Sequence, residues 1–340
     1  MDISCKSRVN ISSSKGIISR SDCFAEKSVL CASNGLFSYV VKFKDENQAM
    51  KSRIFASKHN WMKITSIDVD YWKMDGGVAF GVIPKSLWKK VYPEDIDNLI
   101  RITTRALLIQ TAEKKILIDT GMGDKRGEKY YSYKYRFGGE GLISPLAKAG
   151  LSPTDITDIV FTHLHDDHVG GATYLNDAGE SAEFFPNARY WCSASHWEWS
   201  KSSNKREAAA YFHDNLSPLE LSGRLHLIEK EGEWIDGIRF RIFNGHTRGQ
   251  LIPVIKIKDQ TLVFAADFIP SKANIPISYI PAVDIEPLQT MKEKEAFLEE
   301  ALAGNFILMF QHDYFHEACR LELSEKGIIA GNAIKIEELN

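Results

Sequence analysis

The stretch FTHLHDDHVGG (161–171) gathers three of the chain's ten histidines and two aspartates into eleven positions. The residues leading into it, DIVFTHLH, read as a buried strand, and those leaving it, HVGGATYL, are expected to start the next helix. His163 and His165 stand two apart, so at the end of an extended strand they point the same way and can grip one ion. Asp167 and His168 follow where the chain must turn, and can face a second point a few ångströms off. One loop can therefore serve two ions. Asp166, between them, is expected to be an exposed loop carboxylate.

Four donors in one loop do not complete two catalytic sites, so further His or Asp residues should close later strands. His246 closes RIFNGHT, Asp267 closes TLVFAAD and His312 closes FILMFQH, each directly after an apolar β-type run. Imidazole and carboxylate donors suit zinc above all, with manganese, iron and cobalt also compatible. The five cysteines (Cys5, Cys23, Cys31, Cys192 and Cys319) are scattered and form no CxxC, so neither a disulfide framework nor a thiolate zinc site is indicated. His59, His196, His213, His226 and His316 lack a comparable setting and read as surface or satisfied core histidines.

Outward from the motif, TRALLIQT (104–111) and the run KILIDTG that follows AEK read as a hairpin. GLISPLAKAGLSPTDITDI suggests two short helices, the second opened by Ser152 with Pro153 at its first position. Further strands are expected at 188–193, 223–229, 238–245, 251–258, 261–267 and 306–313, and helices at 195–201 and 287–303. Many strands with interleaved helices make a mixed α/β layered fold, two sheets covered outside by helices. Strand-like patterning becomes clear at MKITSIDVDYW, so the domain is placed at 62–340. Residues 1–61, Ser- and Lys-rich, read as an N-terminal extension and a candidate disordered segment: a leader, an appendage or the product of an upstream start codon.

Composition narrows the partners. The first sixty-one residues carry ten Lys/Arg against five Asp/Glu, a net +5 that leaves −8 on the remainder of a chain whose formal charge is −3. An acidic body argues against nucleic acid and other polyanions. No run of eighteen apolar residues could span a bilayer and no secretory signal opens the chain, so no membrane partner and a cytoplasmic location are expected. A homodimer is left open.

The HxHxDH motif, Gly245–His246, the aspartate after an apolar strand and the final His312 resemble the metallo-β-lactamase-fold hydrolases, over about residues 62–320. The resemblance implies an αββα sandwich, two mixed β-sheets face to face with helices outside, and a dinuclear site at the sheet edges. It implies His163, His165 and His246 on a first divalent ion, Asp167, His168 and His312 on a second, and Asp267 bridging both. DGGVAFGVIPKSLW, FPNARYWCS, DFIP and QHD look like the branch containing N-acyl homoserine lactone lactonases and methyl parathion hydrolase-like enzymes. Two departures stand out. GHTRGQ lacks the family's second histidine, and Phe268 stands next to Asp267, whereas many lactonases of this fold carry a tyrosine soon after that aspartate. Asp119, in ILIDTG, either orients a ligand histidine or simply closes its strand.

Two divalent ions sharing a water lower its pKa and make a hydroxide nucleophile at physiological pH. Asp167 and Asp267 are then the catalytic carboxylates, limiting the positive charge and orienting the nucleophile. The expected activity is hydrolysis of a small lactone or ester by a dinuclear zinc site. The alternatives are organophosphate triester hydrolysis and a non-catalytic metal-binding module. Loops at 71–81, 129–139 and 268–281, rich in aromatic and aliphatic residues, are the expected walls of a pocket for a small molecule with an apolar group.

Overall fold

The computed structural model describes residues 62–340 and, by backbone alone, two antiparallel strands, Lys27–Cys31 and Phe37–Val41. The chain divides into two units, Met1–Asn60 and Trp61–Asn340. The expected extension over 1–61 otherwise lies outside the described residues.

The 62–340 unit is built on two sheets. The first runs, in spatial order, Leu225–Ile228, Arg189–Ser193, Asp158–Val160, Lys115–Ile118, Leu99–Gln110 and Lys63–Asp75. Its first four strands are mutually parallel, and its last two pair antiparallel. The second runs Gly232–Ile235, Ile238–Phe243, Gln250–Ile257, Gln260–Phe264, Ile307–Met309, Ala318–Ser324 and Gly327–Ile334, with one parallel pair between Gln260–Phe264 and Ile307–Met309. The hairpin read from the sequence is present, Gln110 opposite Lys115.

The period of two in these strands divides the core. Leu107, Ile109, Ile116, Ile118 and Val160 face the second sheet, where Phe240, Leu251 and Val254 belong to the same apolar cluster. Their chain neighbours Ala106, Leu108, Leu117 and Ile159 point the other way, towards Leu146, Trp197 and Leu219 on the outer helices. The second sheet is covered by the helix Pro287–Ala303, through Phe297, Leu298 and Ala301. Proline opens this helix and Gly304 caps it. The architecture is the expected sandwich of two mixed sheets between helical layers.

Two local expectations are corrected. HVGGATYL does not start a helix: a single turn over Asp166–Val169 ends there, a 3-10 turn covers Gly170–Ala172, and Thr173–Leu175 is a strand. The reason is a close approach of two backbones. A Cβ on Gly170 or Gly171 would lie 2.1 Å from the Met122 or Thr120 carbonyl oxygen, so the chain runs flush against 120–123 and the helix cannot continue. The second of the two short helices is only a three-residue 3-10 turn, Pro153–Asp155, whose start is closed by a reciprocal Ser152–Asp155 capping box. The strands Gly232–Ile235, Ala318–Ser324 and Gly327–Ile334 and the helix His213–Leu221 were not read from the sequence.

Candidate active site

All seven residues singled out as metal ligands sit beyond the carboxyl ends of strands that share one edge of the sandwich. Asp158–Val160 delivers the 163–168 loop; Ile238–Phe243, Gln260–Phe264 and Ile307–Met309 deliver His246, Asp267 and His312. Three overlapping groups have donor atoms mutually within 4.8 Å and could hold ions: His163 with His165 and His246, His163 with His168 and Asp267, and Asp167 with His168 and His312. The two carboxylate oxygens of Asp267 face different groups. Oδ2 lies 3.2 Å from His246 Nε2, while Oδ1 lies 3.2 Å from His168 Nε2 and 2.9 Å from His312 Nε2.

The outward nitrogen of every one of these histidines has a partner that fixes its tautomer. His168 Nδ1 donates to Asp119 Oδ2 at 3.0 Å, so Asp119 orients a candidate ligand histidine as well as closing its strand. Thr162 donates its N–H and hydroxyl to the same carboxylate, which leaves Thr162 Oγ1 to accept from His163 Nδ1 at 3.1 Å. His246 Nδ1 donates to Asp284 Oδ1 at 2.9 Å, and His312 Nδ1 to the Thr103 carbonyl at 2.7 Å. His165 Nε2 donates to Glu207 Oε1 at 2.9 Å.

With the outer protons committed, the inner nitrogens present bare lone pairs to one another. His165 Nδ1 is 2.9 Å from His163 Nε2 and 3.3 Å from His246 Nε2. Buried His168 Nε2 and Asp267 Oδ1 have no hydrogen-bond partner among the described residues. Converging lone pairs and orphaned acceptors in a buried place call for cations, so the donor set fits two first-row ions. The electrostatics agree. Burial is the largest influence on His168, His246 and His312 and favours their neutral forms, but the carboxylates around them, Asp267 first with Asp119, Asp167 and Asp284, together outweigh it and raise all three pKa values, so the place favours positive charge. Burial would raise Asp267, yet His312, His168 and His246 hold it well below the usual carboxylate range.

Two acidic anchors of this site were not found from the sequence. Asp284, which also accepts from Thr290 Oγ1 at 2.7 Å, and Glu207 both lie on irregular segments outside any motif. Glu207 is buried, takes Trp199 Nε1 on Oε2 at 2.7 Å, and accepts from Tyr211 and Thr247 on Oε1. Burial opposes its charge, but His165 and these donors hold its pKa near 2. Replacing Glu207 by alanine should weaken metal binding about 10–100-fold, the usual cost of losing such a partner. Glutamine, which still accepts from His165, should recover most of it. Competition with a chromogenic chelator reads both variants.

Asp166 departs from expectation. It is buried, 6% exposed, because Tyr130 from the helix Glu128–Tyr133 covers it and donates its hydroxyl to Oδ2. His196 is a satisfied core histidine, as read. Its Nε2 accepts from Leu164 N–H at 2.8 Å and its Nδ1 donates to the Arg248 carbonyl at 2.7 Å, so it ties the motif loop to the loop of His246.

A cavity of about 580 Å³ opens onto Asp167, Asp267, His165, His246 and His312. All three expected wall segments line it, through Trp72 and Phe80, Tyr130 and Lys134, and Pro270 and Asn274. The strand residues Ile100 and Ile102, together with Arg206, Glu207, Ala209, Ala210, Ala282 and Val283, also line it and were not anticipated. Phe268 turns away: it is buried and stacks on Phe243 at 3.9 Å between ring centroids.

The profile of the Metallo-beta-lactamase superfamily matches residues 101–312, most of the described unit. The chain belongs to this superfamily. A probable metal-dependent hydrolase from Staphylococcus aureus is 30% identical in sequence with a TM-score of 0.72, over 81% of this chain and 98% of that one. The N-acyl homoserine lactonase AiiB of Agrobacterium fabrum is 28% identical over 49% of this chain, and the match spans 63% of that enzyme's length. The solved structure of AidC, a dizinc quorum-quenching lactonase in complex with a product, superposes with a TM-score of 0.65 at 20% identity, over 81% and 96% of the two chains. These relatives are hydrolases. Among the described residues no helix is long and apolar enough to cross a membrane.

Proposed function

We propose that this member of the superfamily is a dinuclear metal-dependent hydrolase that opens small lactones bearing an apolar arm, with N-acyl homoserine lactones as the first class to test. The observation that carries this reading is the largely apolar cavity opening onto five of the seven converging donors, His165, Asp167, His246, Asp267 and His312. Lactonases among the relatives support it.

His163, His165 and His246 would hold one ion, Asp167, His168 and His312 the other, and Asp267 both. Nitrogen and oxygen donors without thiolate favour zinc. When bound, the ions supply an activated water and polarise the substrate carbonyl. The chain's own residues do the rest. Asp119, Asp284, Glu207 and the Thr103 carbonyl hold the ligand rings in register, so no reorganisation is needed as charge develops. Asp167 is a carboxylate on the cavity wall and can carry the proton between nucleophile and leaving oxygen. Trp72, Phe80, Ile100 and Ile102 exclude water from the arm side and give the acyl group an apolar surface.

The test is ring-opening of N-decanoyl homoserine lactone by purified protein, followed by pH indicator, with His165→Ala as the blank and metal content measured in the same sample. Turnover in the native chain alone supports the reading. Two ions per chain without turnover would reject the lactone and direct the search to phosphotriesters.

A further inference from the structure

Lys134 lies at the junction between the ligand set and the apolar chamber. Its backbone is fixed there, because the Lys134 carbonyl accepts from Lys73 N–H at 3.1 Å, one residue beyond Trp72. Its Nζ stands 4.8 Å from the centroid of the Trp72 ring and 5.7 Å from that of Tyr130. Trp72 in turn meets His312 edge to face, with centroids 6.2 Å apart, and belongs on its other side to the cluster of Phe80, Ile100 and Ile102. The nearest carboxylate oxygen, Asp166 Oδ2, is 3.9 Å away, beyond hydrogen-bonding reach, and already accepts from Tyr130. Among the described residues no oxygen takes a hydrogen bond from this ammonium. Its charge faces Asp166 and Asp167, but its N–H groups make no hydrogen bond where it lines the cavity, one ring away from His312.

We infer that Lys134 is a specificity-determining residue, donating to an acceptor oxygen that the substrate carries between its reactive carbonyl and its apolar arm. This rests on the lactonase reading above, and it assigns to one residue the preference for lactones whose arm is joined through an amide over lactones with a plain alkyl arm. The aromatic faces of Trp72 and Tyr130 hold the ammonium in place while leaving its N–H groups free for the ligand. A site built to donate to a substrate oxygen discriminates against the analogue that lacks it, because the donor is then left without its partner.

The metal-loaded full chain and its Lys134→Met and Lys134→Arg variants are compared on N-decanoyl homoserine lactone and on γ-dodecalactone, which has the ring and an alkyl arm but no amide. Lys134→Met should raise KM for the amide-bearing lactone about tenfold or more, with little change for γ-dodecalactone, and arginine should restore most of the loss. Equal losses on both lactones, or none on either, would overturn the inference while leaving the lactonase reading intact. Calorimetric binding of the hydrolysis-resistant N-decanoyl homoserine lactam covers the case in which no lactone is opened. Weaker lactam binding in Lys134→Met alone would then sustain the role of Lys134 although the lactonase reading had failed. Unaltered or absent binding would overturn both.

Discussion

Asp267→Ala should abolish turnover in a protein that still folds. Asp267 is the one residue whose two oxygens address both halves of the ligand set, 3.2 Å from His246 on one side and 2.9 Å from His312 on the other. Under the proposed two-ion mechanism its removal would separate ions that share a nucleophile, so the loss should exceed the ~10²–10³ of a single positioned donor. The fold should survive. The neighbouring Ala265 and Ala266 carry the core packing at this strand end, whereas the Asp267 side chain faces the cavity. Asp267→Asn, equal in size but without the charge, should lose nearly as much. Turnover, metal per chain and near-ultraviolet circular dichroism together check this, and unchanged turnover in either variant would refute the two-ion mechanism.

The largest effect on stability is expected at Arg105. Its guanidinium is buried in the first sheet and reaches across to the turn that follows Ile307–Met309 in the second. Nη1 donates to the Phe310 carbonyl at 2.6 Å, Nη2 to the Asp313 carbonyl at 3.0 Å, and Nε to Asp68 Oδ1 at 2.7 Å. Methionine would fill the volume but leave two buried carbonyls and a carboxylate without their donor, at a cost of about 3–5 kcal/mol. Lysine, with one point of charge in place of a planar fork, should recover only part of it. The midpoint of urea unfolding measures both. Because His312 rides on the same turn, metal content should fall in Arg105→Met below the unfolding midpoint. A variant with native stability would show that the carbonyls find other donors.

The convergence of the seven candidate ligands was legible because the 163–168 loop, His246, Asp267 and His312 each follow an apolar run, and a strand end is where a side chain leaves the core for the sheet edge. The layers were legible for the same reason, since alternation in Leu99–Gln110 and Lys115–Ile118 already divides two faces. What escaped lay where burial is decided by distant chain. Asp166 reads as a loop carboxylate until Tyr130, thirty-six residues earlier, covers it. Glu207 and Asp284 have neither periodic flanks nor fixed spacing to the histidines they hold, so only the folded chain reveals them. The hairpin of Ala318–Ser324 and Gly327–Ile334 lies at the margin of its sheet, where only four of its fifteen strand residues are buried and the apolar signal fades. HVGGATYL was misread because Gly170 and Gly171 serve a backbone contact that no local periodicity records.

The ligand set draws its donors from both sheets: the 163–168 loop from the first, His246, Asp267 and His312 from the second. Any ion held between them is therefore a rivet through the seam of the sandwich, and its binding energy is also cohesion between the two layers. Occupancy then enters the folding equilibrium as a concentration, worth about 4 kcal/mol when the free ion stands a thousandfold above its dissociation constant. The melting temperature of such a chain reports on the ion supply of its surroundings, and a cell short of metal would lose the protein as well as its activity.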